Sequence, residues 1–177
     1  MLNSILVWVL FTVCSIAVTL FAMIFSPLLA LFVSKDGYYP LWLDWFQTPD
    51  NPAVGDESFH KNQMSWTTSN YLYALFWQLR NPAYGFDSFL GHKLTSTEIK
   101  IFGDKYTSNM PLHNGWVFYK LNQNNITLWQ LYIVIGWSQT RCFRVNLGWK
   151  LWGNLQLDEI RPVVFSILPW AKCIQGN

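Results

Sequence analysis

From Met1 to Ser34 the chain carries no charged side chain; the first is Lys35. Thirteen Leu, Ile, Val or Phe residues fall between Ile5 and Phe25. At their individual insertion energies they favour a helix in hydrocarbon by roughly 4–8 kcal/mol. A bilayer core about 30 Å thick needs roughly 20 helical residues to cross, and this stretch supplies them. The hydroxyls of Ser4, Thr12, Ser15 and Thr19 can bond back to the helix backbone, so they weaken insertion little. A helix in a soluble core would be shorter and would show a polar stripe. A cleavable signal would need a basic n-region, a shorter apolar run and an A-x-A-like site. Residues 1–33 are therefore expected to form a permanent transmembrane anchor, kinked or ended at Pro27, which cannot bond the Met23 carbonyl.

Past the anchor come Lys35, Tyr38, Tyr39, Trp42 and Trp45. Trp and Tyr favour the headgroup layer, so these five are the candidate membrane-interface residues. Their rings could equally pack into the downstream domain, and the two roles are compatible. The positive charge at Lys35, with none before it, favours an outside N terminus and a cytoplasmic body.

Composition agrees with a lipid boundary: 51% hydrophobic, 12% charged and 18% aromatic, with eleven Trp. Charged residues usually make up about a quarter of a soluble protein. The net charge of +2 does not argue for nucleic acid. It is unevenly spread: three basic against six acidic residues from Ser34 to Gly91, then nine against four from His92 on. The distal half could face anionic headgroups or an acidic partner, or simply be a solvated surface. Cys14, Cys142 and Cys173 form no framework, and a Cys142–Cys173 disulfide would require an oxidising compartment.

The remainder divides into a Pro- and aromatic-rich juxtamembrane segment (34–64), a helix with connecting loop (65–97) and an antiparallel β-rich domain (98–177). In the first, Thr48-Pro49 and Asn51-Pro52 dictate a rigid loop. A helix capped by Thr68, Ser69 or Asn70 should run to about Arg80 and stop at Asn81-Pro82. It is too short to cross a bilayer and either packs or lies at the interface. From about Glu98 the apolar period shifts to 2. "GWVFYKL", "TLWQLYIVIGW" and "TRCFRVNLGWKLW" read as a meander, with "EIKIF" as a fourth strand and "RPVVFSIL" as an edge strand ending before Pro169. In the third, Phe143, Val145, Leu147 and Trp149 alternate with Cys142, Arg144, Asn146 and Gly148, as in a strand with one face buried. The expected class is α+β: a transmembrane helix, a short amphipathic or packing helix, then a small antiparallel β-meander.

No motif of reaction chemistry is present. His60, His92 and His113 lack metal-ligand spacing, and there is no P-loop, G-x-S-x-G or G-x-G-x-x-G. "GDES" follows two prolines and reads as a turn, and Asp158-Glu159 diverge as neighbours. Asn125-Ile-Thr127 matches a glycosylation sequon beside a turn. No catalytic, cofactor-binding or metal-ligating residue is assigned, and no cofactor is called for.

"SPLLALFVSKDG", "WLDWFQTPDNP", "LRNPAYGF" and "RVNLGWKLWG", in that order behind the anchor, resemble a group of small uncharacterised proteins of tailed bacteriophages and prophages. The resemblance implies a membrane-anchored protein of unknown activity in a bacterial host and transfers no catalytic residue; "HKLTSTEIKIFGDKYTSNMPLHNG" lies outside it. The expectation is a non-enzymatic single-pass protein of the host inner membrane whose β-rich head binds a protein partner. A virion or tail component and an envelope enzyme using His60 or His92 are the alternatives. Its partners would be the lipid bilayer and a protein that the sequence does not identify. The proline-shaped loops could present Asp50, Asn51, Arg80 and Tyr84 to that partner, although each residue also has a structural explanation.

Overall fold

A computed structural model of the chain describes residues 1–175; the last two residues of the expected β-rich segment, 176 and 177, lie outside the described residues. The architecture is α+β: a long apolar N-terminal helix, short helices, then antiparallel sheets. The chain divides into two compact units. One holds residues 1–12 and the chain from Gly91 on; the other is Val13–Leu90.

Helix α1 spans Leu2–Leu29 and continues as a 3-10 turn over Ala30–Phe32. It passes through Pro27 and ends two residues later. The Met23 carbonyl that Pro27 cannot serve is taken up locally, because Ser26 Oγ donates to it at 2.9 Å.

In the Val13–Leu90 unit, Leu41–Phe46 form a 3-10 helix that starts after Pro40. Helices α2 (Glu57–Gln63), α3 (Asn70–Arg80) and α4 (Tyr84–Phe89) follow. Helix α2 occupies part of the segment expected to be loop. "GDES" is its start, not merely a turn: Asp56 Oδ1 accepts from the Phe59 amide at 2.7 Å, a standard N-cap. Ser69 caps α3, and Asn81 ends it before Pro82. Ala22, Leu29, Tyr39, Leu43 and Phe86 form the main core, with Cys14 and Val18 of α1 packed against it.

The β-rich unit is built on a five-stranded antiparallel sheet in the order β2-β5-β6-β7-β9. These strands are Ile99–Gly103, Gly115–Gln123, Ile126–Gly136, Arg141–Trp149 and Val163–Lys172. Short strands β1 (His92–Lys93) and β8 (Ile160–Arg161) pair with each other, as do β3 (Ser108–Asn109) and β4 (Leu112–His113). The expected meander is present as β5-β6-β7. Its first turn places Asn124 and Asn125 at φ 43° and 62°, the left-handed pair that two-residue hairpins demand.

The final strand does not stop before Pro169. It runs on to Lys172 because β9 is an edge strand, and its register with β7 shifts between Cys142 and Arg144. A proline is tolerated at such a position. Cys142 and Cys173 are both buried free thiols in one apolar cluster with Val134. Burial, and then the neighbouring Cys173, push the Cys142 thiol up.

Candidate functional site

Helix α1 turns its bulky residues outward. Within the Val13–Leu90 unit, Val13, Leu20, Ile24, Leu28 and Leu31 are 60, 54, 71, 52 and 67% exposed. Its inward positions are mostly small or polar: Ala22, Ser26 and Ala30 are buried beside the larger Leu29, and Ser15 donates to the Asp87 carboxylate of α4. This reverses the pattern of a helix in a water-soluble core. The continuous stretch Leu2–Phe32 is long and apolar enough to cross a membrane, and only 11% of its most apolar window is buried.

The aromatics that follow it extend that outward surface. Trp42 packs edge-on against Phe32 at 5.3 Å, and Phe46 lies 6.0 Å from Phe21. Trp42 and Trp45 are 66 and 48% exposed, and Lys35 and Tyr38 are also exposed. Tyr39 is different. It belongs to the core, and its hydroxyl donates to Gln78 Oε1 at 3.2 Å. Burial raises its phenol to about 12. Adjacent side chains in a non-helical stretch project to opposite sides, so one ring faces outward and the other the interior; sequence order alone treats them alike.

Of the residues expected to meet a protein partner, Asp50 and Arg80 are exposed, while Asn51 and Tyr84 are half-buried. The Arg80 guanidinium lies over Trp77 and Phe59 at 5.5 and 6.0 Å, which gives it a structural role as a cation on aromatic faces. Tyr84 is raised by burial first and then by the charges of Asp50 and Asp87. The tight corner around it has no signature in the sequence. Ala83 is left-handed at φ 54°, and a Cβ on Gly85 would press on the Asp44 carbonyl and sit 2.6 Å from that of Gln47. Only glycine lets α4 approach the end of the 3-10 helix so closely.

Asp87 is the most perturbed carboxyl of this unit. Burial lifts it to about 6, against the lowering effect of the Ser15 hydrogen bond. No local signal in "RNPAYGFDSF" shows that this carboxyl is held against Ser15, 72 positions earlier.

The histidines have local roles. His60 Nε2 is 2.7 Å from the Val54 carbonyl, and the ring stacks on Tyr73 at 4.1 Å. His92 packs on Trp149, and burial lowers its pKa. His113 Nε2 is 2.6 Å from Asp104 Oδ2 on an exposed surface. That carboxyl is held low by the Tyr106 amide and by His113. Among the described residues, no three His, Cys, Asp or Glu side chains gather into a group that could hold a metal.

Fold and surface together define an α+β protein whose long apolar helix is packed on its small-residue side and open on its bulky side. The chain belongs to DUF7338, a family of unknown function, whose match covers residues 1–174. No curated protein and no solved structure matches it.

Proposed function

We propose that this is a non-enzymatic membrane protein: α1 is its lipid-bound element, and the β-rich unit is a head that binds a protein partner. The observation that carries the reading is the inside-out helix. Burying small residues against protein while leaving Leu, Ile, Phe and Val outward is costly in water and favourable in lipid. Leu41, Trp42 and Trp45 beside it suit the interface. The resemblance to phage-encoded proteins supports a setting in the inner membrane of an infected bacterium.

Carbonate washing of membranes from cells expressing the full chain tests the attachment. Retention in the pellet is expected, with release only by detergent; release by carbonate would overturn the reading. Crosslinking in the same membranes, followed by affinity capture of the head, tests the partner. A discrete crosslinked species that survives stringent washing is expected, and its absence over a range of crosslinker lengths would remove partner binding from the proposal.

A second reading concerns topology. In it the 31-residue apolar stretch crosses the bilayer once, and the positive charge at Lys35 sets the N terminus outside and the body in the cytoplasm; this is the alternative to a helix that begins in the membrane plane. Carbonate does not separate a crossing helix from one lying in the membrane plane; labelling from one side does.

A further inference from the structure

The five-stranded sheet has two unlike faces. Paired residues share a face, and alternate residues along a strand share it too. One cross-strand row, Phe102–Phe118–Leu131–Leu147–Phe165, is apolar on all five strands. The next row, Trp116–Ile133–Val145–Ile167, is apolar on four. On the opposite face Val117, Leu121, Leu128, Val134 and Cys142 are fully buried; on the face of the two rows, Val145 and, one row further, Trp129, Trp149 and Val163 are buried as well. These rows are open at their flanks: Phe102, Trp116, Phe165 and Ile167 are 49, 52, 47 and 49% exposed, while Val145 between them is buried. An antiparallel sheet in water has polar side chains on its open face. This one does not.

We propose that this open face, together with the outward side of the first turns of α1, is a lipid-contact surface. The head then lies on the bilayer, and α1 begins in the membrane plane with the N terminus on the head's side. The inference rests on the reading of α1 as lipid-bound.

Three observations choose lipid as the occupant. First, the face is continuous with α1 itself. Trp8 sits edge-on to Trp129 at 5.1 Å, lies 6.3 Å from Phe165, and donates its indole N–H to the Val164 carbonyl at 3.3 Å. Its neighbours Leu2, Leu6 and Leu10 are 71, 60 and 60% exposed. Second, the charged residues next along the same face are Lys100 and Lys120, which are paired across β2 and β5; two ammonium groups at the end of an apolar face suit anionic headgroups. Third, helices that pair in membranes turn small residues outward, and here Leu2, Leu6, Val9 and Leu10 are outward instead. The first turns of α1 rest on a sheet that ends in β2 and β9 and carries Arg144 on its other face. Such turns cannot pass through hydrocarbon, where unsatisfied backbone edges and charges are excluded.

The test uses full-length protein carrying Cys14→Ser, reconstituted in sealed vesicles of phosphatidylcholine with phosphatidylglycerol. Cys142 and Cys173 are buried, and their labelling in this parent sets the background. Added cysteines, Ile167→Cys on the open face and Lys105→Cys on an exposed loop, are labelled with an environment-sensitive dye. Iodide should quench the 167 site at least several-fold less than the 105 site, with a blue-shifted emission at 167. Asn3→Cys and Lys105→Cys should react with a membrane-impermeant maleimide from the same side. Equal quenching at 167 and 105, or labelling of Asn3→Cys only from the opposite side, would overturn the inference. So would efficient short-range crosslinking of Ile167→Cys between chains, which would make the face a chain–chain interface. Failure of these arms with carbonate-resistant protein leaves the lipid-bound reading standing; release by carbonate removes both.

Discussion

Among single residues, Asp87 and Gly85 show how two side-chain identities hold the corner between α1, the 3-10 helix and α4. The Asp87 carboxyl ordinarily titrates at 3.8 and is lifted to about 6 in the fold, chiefly by burial. The folded state therefore holds its proton more tightly than the unfolded chain. Its contribution is most favourable below about 3.8, declines as pH rises from there to 6, and is constant above. The full decline is about 3 kcal/mol at most. Asp87→Asn should remove this slope, so thermal midpoints of detergent-solubilised protein at pH 4.5 and 7 should converge relative to the parent. At Gly85 an added methyl meets backbone carbonyls that cannot swing aside. Gly85→Ala should lower unfolding stability by about 1–3 kcal/mol, measurable by denaturant titration. Neither effect could be read from "RNPAYGF". Proline announced a turn, but the carbonyls crowding Gly85 belong to Asp44, Trp45 and Gln47, far back along the chain.

At the level of elements, local signals suffice where the partners are near in sequence. Ser69 and Asn81-Pro82 bound α3, and Asn124-Asn125 turns β5 into β6, because caps and tight turns are decided within four residues. Helix α2 escaped notice because its seven residues lack an apolar period and "GDES" suits a turn as well as an N-terminus. The two caps differ in geometry. Asp56 accepts from Phe59 at 2.7 Å, whereas Ser69 accepts from Leu72 at 3.5 Å. Asp56→Ala should cost about 1 kcal/mol and Ser69→Ala clearly less, a ranking that denaturation midpoints of the two variants will check. In β7 the alternation was legible, but which face is closed was not. Both sides hold buried residues, Cys142 on one and Val145 and Trp149 on the other.

For the molecule as a whole, α1 is part of the packed core. Its buried Ala22 and Leu29, with Cys14 and Val18, complete the core that contains Tyr39, Leu43 and Phe86. A detachable anchor would leave a folded, soluble body when removed. Here, deletion of residues 1–33 should expose that cluster and leave the Val13–Leu90 unit unable to fold. The truncated protein should then show increased protease sensitivity within residues 34–90 and should bind a dye specific for exposed apolar surface. Trp8, Thr12 and their neighbours likewise belong to the β-rich unit, so the loss should reach the head as destabilisation rather than as simple solubilisation.

The apolar leader, the order of helices before strands and the meander's turns were all settled by the linear pattern of residues. Each is fixed by composition, period or capping within a short window, where backbone geometry and water decide the outcome. Long-range packing chose the rest: which side of α1 meets protein, that Tyr39 goes inward while Tyr38 stays out, that Asp87 reaches Ser15, and that Phe102, Trp116, Phe165 and Ile167 of the sheet stay exposed. Those outcomes depend on burial against residues tens of positions away, and a linear pattern of apolar residues does not say whether protein or lipid will cover them.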